Sequence, residues 1–193
     1  MPTAETIRTF LALVVGDETR QRLAAIAAEL SPRLVGFKWT KPEQLHLTLA
    51  FLGEVDAARI DDLRAALSAA VQSQQPFDLR WQGLGGFPKP NRAHILWAGV
   101  SNGAEPLAEL QRAVAAALAS AGFPCDDRFT PHITLARAKR FGGRPADLRP
   151  IVEHFRKTEF GVDRVAEIVV MRSDCRPSGS IYTPLATIPL AGP

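Results

Sequence analysis

The stretch HLTLAFLG, residues 46–53, decides how this chain folds, because a near copy, HITLAR, follows at residues 132–137. Both copies consist of His, an apolar residue, Thr, Leu and Ala in that order, and they lie 86 residues apart. The chain has only four histidines, so chance explains two such matches poorly. The repeat is too short to be the period of a solenoid. It indicates a site that is assembled from two copies of one strand.

The first copy has the pattern of a β-strand with one polar and one apolar face. Successive side chains of a strand point to opposite faces. His46, Thr48 and Ala50 are therefore predicted to share one face. The leucines at 45, 47 and 49 are predicted to share the other face and to enter the core.

The second copy predicts the same arrangement, with His132, Thr134 and Ala136 on one face and with Ile133 and Leu135 on the other. Each strand then carries a His and a Thr side by side, anchored by apolar residues. Sites that are built on strands are held more rigidly than sites on loops.

Helix and strand patterns are interleaved around the two motif strands. Apolar residues recur at helical spacing in three places, and these helices are predicted to begin at Asp17, after a cap at Asp56, and at Pro106. Strands are predicted at 7–15, 44–52, 77–84, 93–100, 131–137, 160–171 and 180–189, with a loop at 85–92, a loop and short helix at 141–150 and a turn at 176–180. The order is not a regular βαβ series. We therefore predict one α+β domain over residues 1–193, bilobal, with two similar lobes that each hold a mainly antiparallel sheet and flanking helices, and with a groove between them.

The composition is that of an ordinary soluble globular protein. Of the 193 residues, 46% are hydrophobic and 22% are charged, close to the average for such proteins. The formal net charge is +3 and the sequence pI about 9.2. A mildly basic chain rich in arginine is compatible with a phosphate-bearing partner. A genome of high GC content would raise the arginine content equally well, so both causes stay open.

Cysteine usage and hydropathy predict a cytoplasmic protein. Cys125 and Cys175 lie 50 residues apart without a CxxC spacing, which suggests neither a disulfide framework nor a zinc site. A reducing, intracellular setting is then the default. The apolar run FLALVV, residues 10–15, is too short to span a membrane and lacks the basic start of a signal peptide. We expect no membrane association.

Two imidazoles that face each other across a groove can act as a general base and a general acid. The reference pKa of histidine lies near 6.5, so one ring can be neutral while the other is protonated. Each Thr adds a hydroxyl that can donate to a phosphate oxygen. This set suits in-line displacement at phosphorus without a metal, in which the base deprotonates water and the acid protonates the departing sugar oxygen.

The paired motifs are also compatible with a structural, a metal-binding or a purely ligand-binding role. A single His-x-Thr on a strand is most often structural, but a matched pair makes that role a weak hypothesis. Metal binding by His46 and His132 is possible, although no third ligand has a suggestive spacing. A different class of function is a non-catalytic module that binds an RNA end or a nucleotide in the same groove.

The pair HLTLAFLG and PHITLAR resembles the two-histidine phosphoesterases, whose signature is two His-x-Thr/Ser motifs. More narrowly, the chain is similar to the bacterial RNA 2′,3′-cyclic phosphodiesterases, also called 2′-5′ RNA ligases. The resemblance covers almost the whole chain, because further segments occur in the expected order: RTFLAL, LHLTLAFLGEV, HILWAGV, RFTPHITLAR and SIYTPL.

The resemblance implies metal-independent hydrolysis of nucleoside or RNA-terminal 2′,3′-cyclic phosphate to the 2′-phosphomonoester, with no cofactor. It implies that His46 and His132 are the acid/base pair and that Thr48 and Thr134 hold the phosphate. Reversible 2′-5′ ligation of RNA, or cleavage of 2′-5′ linkages, would use the same pair. The expected partners are RNA with 2′,3′-cyclic phosphate ends or cyclic nucleotides, and the expected state is a monomer.

Arg137 matches a basic, phosphate-binding position of the resembled family, but its place in the motif poses a geometric problem. It lies five residues after His132, an odd number, so in a regular strand its side chain would point away from the groove. The strand must end or bulge for Arg137 to reach a phosphate. Phe51 stands at the equivalent place in the first copy.

Several further residues are candidates of lower priority. Trp39, Phe129 and Tyr182 could stack on a base, although core packing is the better interpretation for each. The basic segments 137–144, which includes Phe141, and 89–92, which includes Lys89 and Arg92, could follow an RNA backbone or be solvated loops. His94 and His154 are predicted to be structural or surface residues.

Overall fold

The computed structural model describes residues 5–125, 129–139, 144–176 and 179–191. Strands and helices follow one another in this order: β1 Thr6–Val14, α1 Asp17–Leu30, β2 Phe37–Trp39, β3 His46–Asp56, α2 Ile60–Val71, β4 Phe77–Phe87, β5 Ile95–Asn102, α3 Ala104–Ser120, β6 Ile133–Ala138, α4 Arg149–His154, β7 Glu159–Val165, β8 Glu167–Arg176 and β9 Gly179–Pro189.

The strands form a nine-stranded antiparallel sheet that consists of two similar halves. Its order is β7-β4-β5-β6-β3-β1-β8-β9, and β2 pairs with β6. The two motif strands, β6 and β3, are thus the inner strands of two four-stranded halves. They pair with each other only through Leu47 and Ile133 and then separate, so β2 takes the place beside the end of β6. The predicted α+β class, with antiparallel sheets and two similar lobes, is confirmed.

The helices cover the leucine face of the motif strands. Leu47, Leu49 and Leu52 of β3 are buried, and α3 packs against this strand. Leucines in the apolar stripes of the helices are buried as well, for example Leu63 of α2 and Leu110 of α3, whereas Ile60 of α2 is only partly buried. Burial of one such side chain contributes roughly 1.5–3 kcal/mol. The sheet therefore has one packed face, which leaves the His and Thr face open to a groove.

Several boundaries differ from the sequence prediction. The three-residue strand β2 was not expected, because so short a run carries no periodicity. The strand predicted at 160–171 is two strands, β7 and β8, separated at Ala166. β7 pairs with β4 in one half of the sheet and β8 pairs with β1 in the other. No Gly or Pro marks this change of direction, so the sequence reads as one continuous strand.

The segment Gly85–Phe87 was expected in a loop but belongs to β4. Asp56 caps as predicted, with Oδ1 accepting from the backbone N–H of Ala58 at 2.9 Å. It caps a 3-10 turn over Ala57–Arg59, however, and α2 begins only at Ile60. A carboxylate at this position satisfies an N–H of the turn that has no partner within it.

Candidate active site

Both motif histidines face one cavity of about 330 Å³ between the two halves of the sheet. Every site residue predicted from the sequence lines it: His46, Thr48, His132, Thr134 and Arg137. Arg8 of β1 lines the same cavity and was not predicted from the sequence. No Asp or Glu contributes to its wall within the described part of the chain. The cavity is therefore polar and positively charged, which suits an anionic ligand.

A β-bulge in each motif strand decides which side chains reach this cavity. In β3, Thr48 pairs with Ala12 and Ala50 with Leu11, so Leu49 is an extra residue. A bulge places two consecutive residues opposite one and shifts the alternation of the strand. Leu49 and Ala50 are accordingly both buried, whereas Phe51 is 58% exposed and lines the cavity.

The same bulge occurs in β6. Thr134 pairs with Trp97 and Ala136 with Leu96, so Leu135 is the extra residue. The prediction that Ala50 and Ala136 share the polar face was wrong for this reason. The bulge also turns Arg137 into the cavity, which a regular strand would not have done.

Arg137 presents a positive charge that no carboxylate of the described residues neutralises. Its Nη2 donates to Oγ1 of Thr134 at 3.3 Å, and it forms no ion pair with the acidic residues that the structure describes. Burial lowers the pKa of Arg137, and the neighbouring Tyr182 opposes this effect. A guanidinium remains protonated under such conditions. It offers forked donors that match phosphate oxygens.

The two histidines are held in the same orientation by backbone carbonyls. Nδ1 of His46 lies 2.7 Å from the carbonyl oxygen of Gln44, and Nδ1 of His132 lies 2.7 Å from that of Thr130. A carbonyl can only accept, so Nδ1 carries the proton in both rings. Nε2 of each ring is then the nitrogen available for proton transfer. Oγ1 of Thr48 lies 3.1 Å from Nε2 of His46, within hydrogen-bonding distance.

The sequence model of the 2′-5′ RNA ligase superfamily matches residues 12–174 of this chain. The chain belongs to the 2′-5′ RNA ligase superfamily. A relative in Archaeoglobus fulgidus, named RNA 2′,3′-cyclic phosphodiesterase, is 35% identical over 179 residues, covering 93% of this chain and 98% of its own. One of the same name in Aquifex aeolicus is 31% identical over 190 residues, covering 97% and 100%.

Solved structures of similar proteins have the same fold. A crystal structure of a Thermus thermophilus protein matches with a TM-score of 0.78 at 29% identity, covering 96% of this chain and 99% of that one. Escherichia coli LigT complexed with 3′-AMP matches with a TM-score of 0.76 at 27% identity, covering 97% and 100%. The predicted membership of this phosphoesterase family is thereby confirmed.

In this member of the superfamily, the environment of both imidazoles favours the neutral form. Burial lowers the pKa of His46 and of His132, because the charged ring loses solvation. The hydrogen bonds to the backbone carbonyls act in the opposite direction. The positive charge of Arg137 lowers both pKa values further, and His132 lowers that of His46. A phosphate anion in the cavity would counter these positive charges and favour protonation of one ring.

Two pairs of aromatic rings enclose the histidines of this superfamily member, one pair in each half of the sheet. The ring of His46 lies 5.0 Å from that of Phe10 and 5.2 Å, edge-on, from that of Tyr182. The ring of His132 lies 5.0 Å, edge-on, from that of Phe87 and 6.2 Å from that of Trp97. Such contacts restrict rotation of the imidazoles. Of these four rings, only Tyr182 was a candidate from the sequence, where it was considered for stacking on a base.

The remaining candidates that the structure describes lie outside the cavity. Trp39 and Phe129 are partly buried and pack against the core, as expected. His94 is exposed beside β5, and His154 is exposed at the end of α4. Lys89 and Arg92 are exposed next to the 3-10 turn Pro90–Arg92 and do not line the cavity. Residues 140–143 of the other basic segment, including Phe141, lie outside the described residues.

Neither a metal-binding cluster nor a membrane-spanning helix occurs in the described part of the chain. No group of three or more His, Cys, Asp or Glu side chains there is arranged to hold a metal ion. Among those same residues, no helix has the length and apolar character needed to cross a membrane.

Proposed function

We propose that this protein hydrolyses 2′,3′-cyclic phosphates at the ends of RNA, or of nucleosides, to the 2′-phosphomonoester. The observation that carries this proposal is the pair of histidines in one cavity, each with Nδ1 bonded to a carbonyl. The relatives named RNA 2′,3′-cyclic phosphodiesterase support it. A non-catalytic binding module is not favoured, because it would not require two imidazoles with this orientation.

In the proposed mechanism, one imidazole acts as general base and the other as general acid. Nε2 of the base takes a proton from water as the water oxygen forms a bond to phosphorus. The bond between phosphorus and the 3′ oxygen breaks, and Nε2 of the acid donates its proton to that oxygen. The products are the 2′-phosphate and a free 3′ hydroxyl. With an RNA 5′ hydroxyl in place of water as the nucleophile, the same cleavage of the bond between phosphorus and the 3′ oxygen would join RNA through a 2′-5′ linkage.

Thr48, Thr134 and Arg137 are proposed to bind the non-bridging phosphate oxygens. All three line the cavity beside the histidines. Donors fixed in a partly desolvated site stabilise charge that develops in the transition state without having to reorganise. Arg137 contributes a full positive charge, and the threonine hydroxyls contribute orientation.

We further propose that the enzyme is a cytoplasmic monomer, that residues 1–193 form one bilobal domain, and that no metal ion takes part in catalysis. The in-line scheme above needs only two imidazoles for its proton transfers. Binding of the substrate phosphate is assigned to uncharged hydroxyls and one guanidinium, a set that does not require a divalent cation.

The first test is incubation of the purified protein with 2′,3′-cyclic AMP in excess EDTA, with chromatographic separation of the products. We expect 2′-AMP, and a loss of roughly 10²-fold or more in kcat for His46→Ala and for His132→Ala, the magnitude normal for a general acid or base. Circular dichroism of both variants controls for folding. Formation of 3′-AMP would show that the leaving group is the 2′ oxygen and not the 3′ oxygen. Full activity in either folded variant would overturn the mechanism.

A further inference from the structure

A second groove, which we call the side groove, opens directly from the active-site cavity. It has a volume of about 350 Å³. Five residues line both spaces: Thr40, Gln44, Arg137, Ser180 and Tyr182. The side groove continues beyond them to Lys38, Lys41 and Gly179. A ligand that fills the active-site cavity can therefore extend into the side groove without leaving the protein surface.

The described lining of the side groove is basic. Its basic residues are Lys38, Lys41 and Arg137, and no Asp or Glu is among the described residues that line it. None of the three forms an ion pair with an acidic residue in the described ranges. Their charges are therefore available to a ligand.

Lys38 and Arg137 are placed side by side by the sheet itself. They are direct partners in the antiparallel pairing of β2 with β6, so their side chains leave the same face of the sheet. Directly opposed residues have Cβ atoms about 4.5–5.5 Å apart, and like charges at such positions are destabilising. The fold thus maintains an unfavourable pair of cations at the junction of the cavity and the side groove.

The side chain of Lys38 extends along the side groove toward β9. Its Nζ would lie 3.4 Å from a Cβ atom built on Gly179. Gly179 has φ +133°, a conformation that disfavours other residues, and the lack of a side chain there leaves room beside the ammonium group. Ile181, which is 42% exposed, and the ring of Tyr182 give the same wall an apolar surface.

We propose that the side groove binds the phosphodiester that lies 5′ to the terminal nucleotide, with Lys38 and Lys41 as its contacts. This inference rests on the proposed function. Arg137 binds the cyclic phosphate, and the next phosphate of the strand meets the two lysines. Unpaired cations along a groove track a nucleic-acid backbone irrespective of sequence. The enzyme is thus adapted to oligonucleotide ends, for which it has a preference over cyclic mononucleotides.

The test compares kcat/KM for 2′,3′-cyclic AMP with that for the trinucleotide ApApA ending in a 2′,3′-cyclic phosphate. The variants are Lys38→Ala, Lys38→Ala/Lys41→Ala, Lys38→Arg and Lys157→Ala. Lys157 is exposed beside β7, an outer strand of the sheet, so its removal changes the net charge by the same amount as Lys38→Ala but outside the side groove. Measurements of kcat/KM at salt concentrations from about 50 to about 200 mM give its salt dependence.

We expect the double variant to lower the ratio of kcat/KM for the trinucleotide to kcat/KM for 2′,3′-cyclic AMP by about 10-fold. This is the scale of the loss of a hydrogen bond to a charged group. The salt dependence for the trinucleotide should weaken by about 0.7 in logarithmic slope per lysine removed. Lys38→Arg should restore most of the ratio, and Lys157→Ala should leave it unchanged.

The possible failures are distinguishable. If the wild-type protein hydrolyses neither substrate, the proposed function fails. If it hydrolyses both but shows no preference for the trinucleotide, or if the double variant slows both substrates equally, the side-groove inference is wrong and the proposed function stands. An equal effect of Lys157→Ala would show that net charge is responsible, which also overturns the inference.

Discussion

Replacement of Gly85 by alanine tests whether the packing around His132 is as tight as the structure indicates. Gly85 of β4 is the direct partner of Trp97 of β5, and the indole lies across the glycine. A Cβ atom at this position would stand 2.1 Å from Cζ2 and 2.3 Å from Cη2 of Trp97. These distances are far inside van der Waals contact, so the indole or the strand must move.

Gly85→Ala can raise the free energy of unfolding, by stiffening the strand, or lower it, by overpacking the site. Gly85 does not have a positive φ, so without the clash an alanine there would stabilise the strand by about 0.5–1 kcal/mol. Overpacking in a filled site costs about 1–3 kcal/mol. We therefore expect Gly85→Ala to lower the free energy of unfolding by about 1–2 kcal/mol, measured by urea denaturation.

The displaced indole should also disturb His132, because the two rings are 6.2 Å apart and both contact Phe87. A misplaced catalytic group costs up to about 100-fold in rate, so we expect kcat on 2′,3′-cyclic AMP to fall by roughly 10- to 100-fold. Trp97→Leu supplies the matched background, in which the clash is absent. There, Gly85→Ala should be neutral or stabilising, which gives a coupling energy of about 1–3 kcal/mol, in the range found for residues in contact. If the effects of the two substitutions on stability are additive, the packing argument is refuted.

Three further predictions concern proton transfer, charge and buried polar contacts. Since burial and Arg137 lower the pKa of both histidines below the ordinary value of 6.5, the bell-shaped profile of kcat/KM against pH should have its maximum below pH 6.5, where one ring still holds a proton. Arg137→Gln should reduce kcat/KM by about 10²- to 10³-fold and move this maximum to higher pH, because the charge that lowers both pKa values is gone. Asp163 accepts from Oγ1 of Thr19 at 2.9 Å and from Nε1 of Trp81 at 2.7 Å, so Asp163→Ala should lower the free energy of unfolding by about 2–5 kcal/mol in urea denaturation without changing kcat.

Each of these has a clear contrary result. A maximum of kcat/KM above pH 7 would contradict the direction in which the histidine pKa values are shifted. A profile that does not move in Arg137→Gln would show that the charge of Arg137 does not lower these pKa values. Asp163→Asn keeps one acceptor oxygen and should lose about half as much stability as the alanine variant. Equal losses would show that the hydrogen bond that asparagine keeps contributes nothing to stability.

The sequence predicted the two motif strands and their helices because those segments carry strong periodic signals. The His and Thr positions could be assigned to a polar face from alternation alone, and the structure places them there. The sequence did not reveal where alternation stops. Leu49 and Leu135 are ordinary strand residues, and nothing in either motif marks them as the extra residues of bulges. Bulges depend on the pairing with β1 and β5, which is a tertiary property.

The aromatic residues around the histidines were missed for a related reason. Phe10, Phe87 and Trp97 lie on strands that are distant in sequence from the motif each one contacts. Strand order in the sheet decides which of them meet, and strand order is not readable from local patterns. The division of 160–171 into β7 and β8 was missed for the same reason, because the two strands belong to different halves of the sheet.

The two bulges also explain how a duplicated site becomes unequal. Both strands turn the residue five positions after the His into the cavity, and this residue is Phe51 in one half and Arg137 in the other. A site with two identical halves would present the same donors to both sides of a bound phosphate. Because Arg137 lies beside Thr134 on β6, a phosphate bound to its guanidinium is drawn toward Thr134 and the opening of the side groove. Under the proposed mechanism, this difference between the two halves favours one orientation of the substrate and so contributes to the choice of the P–O bond that lies opposite the attacking water.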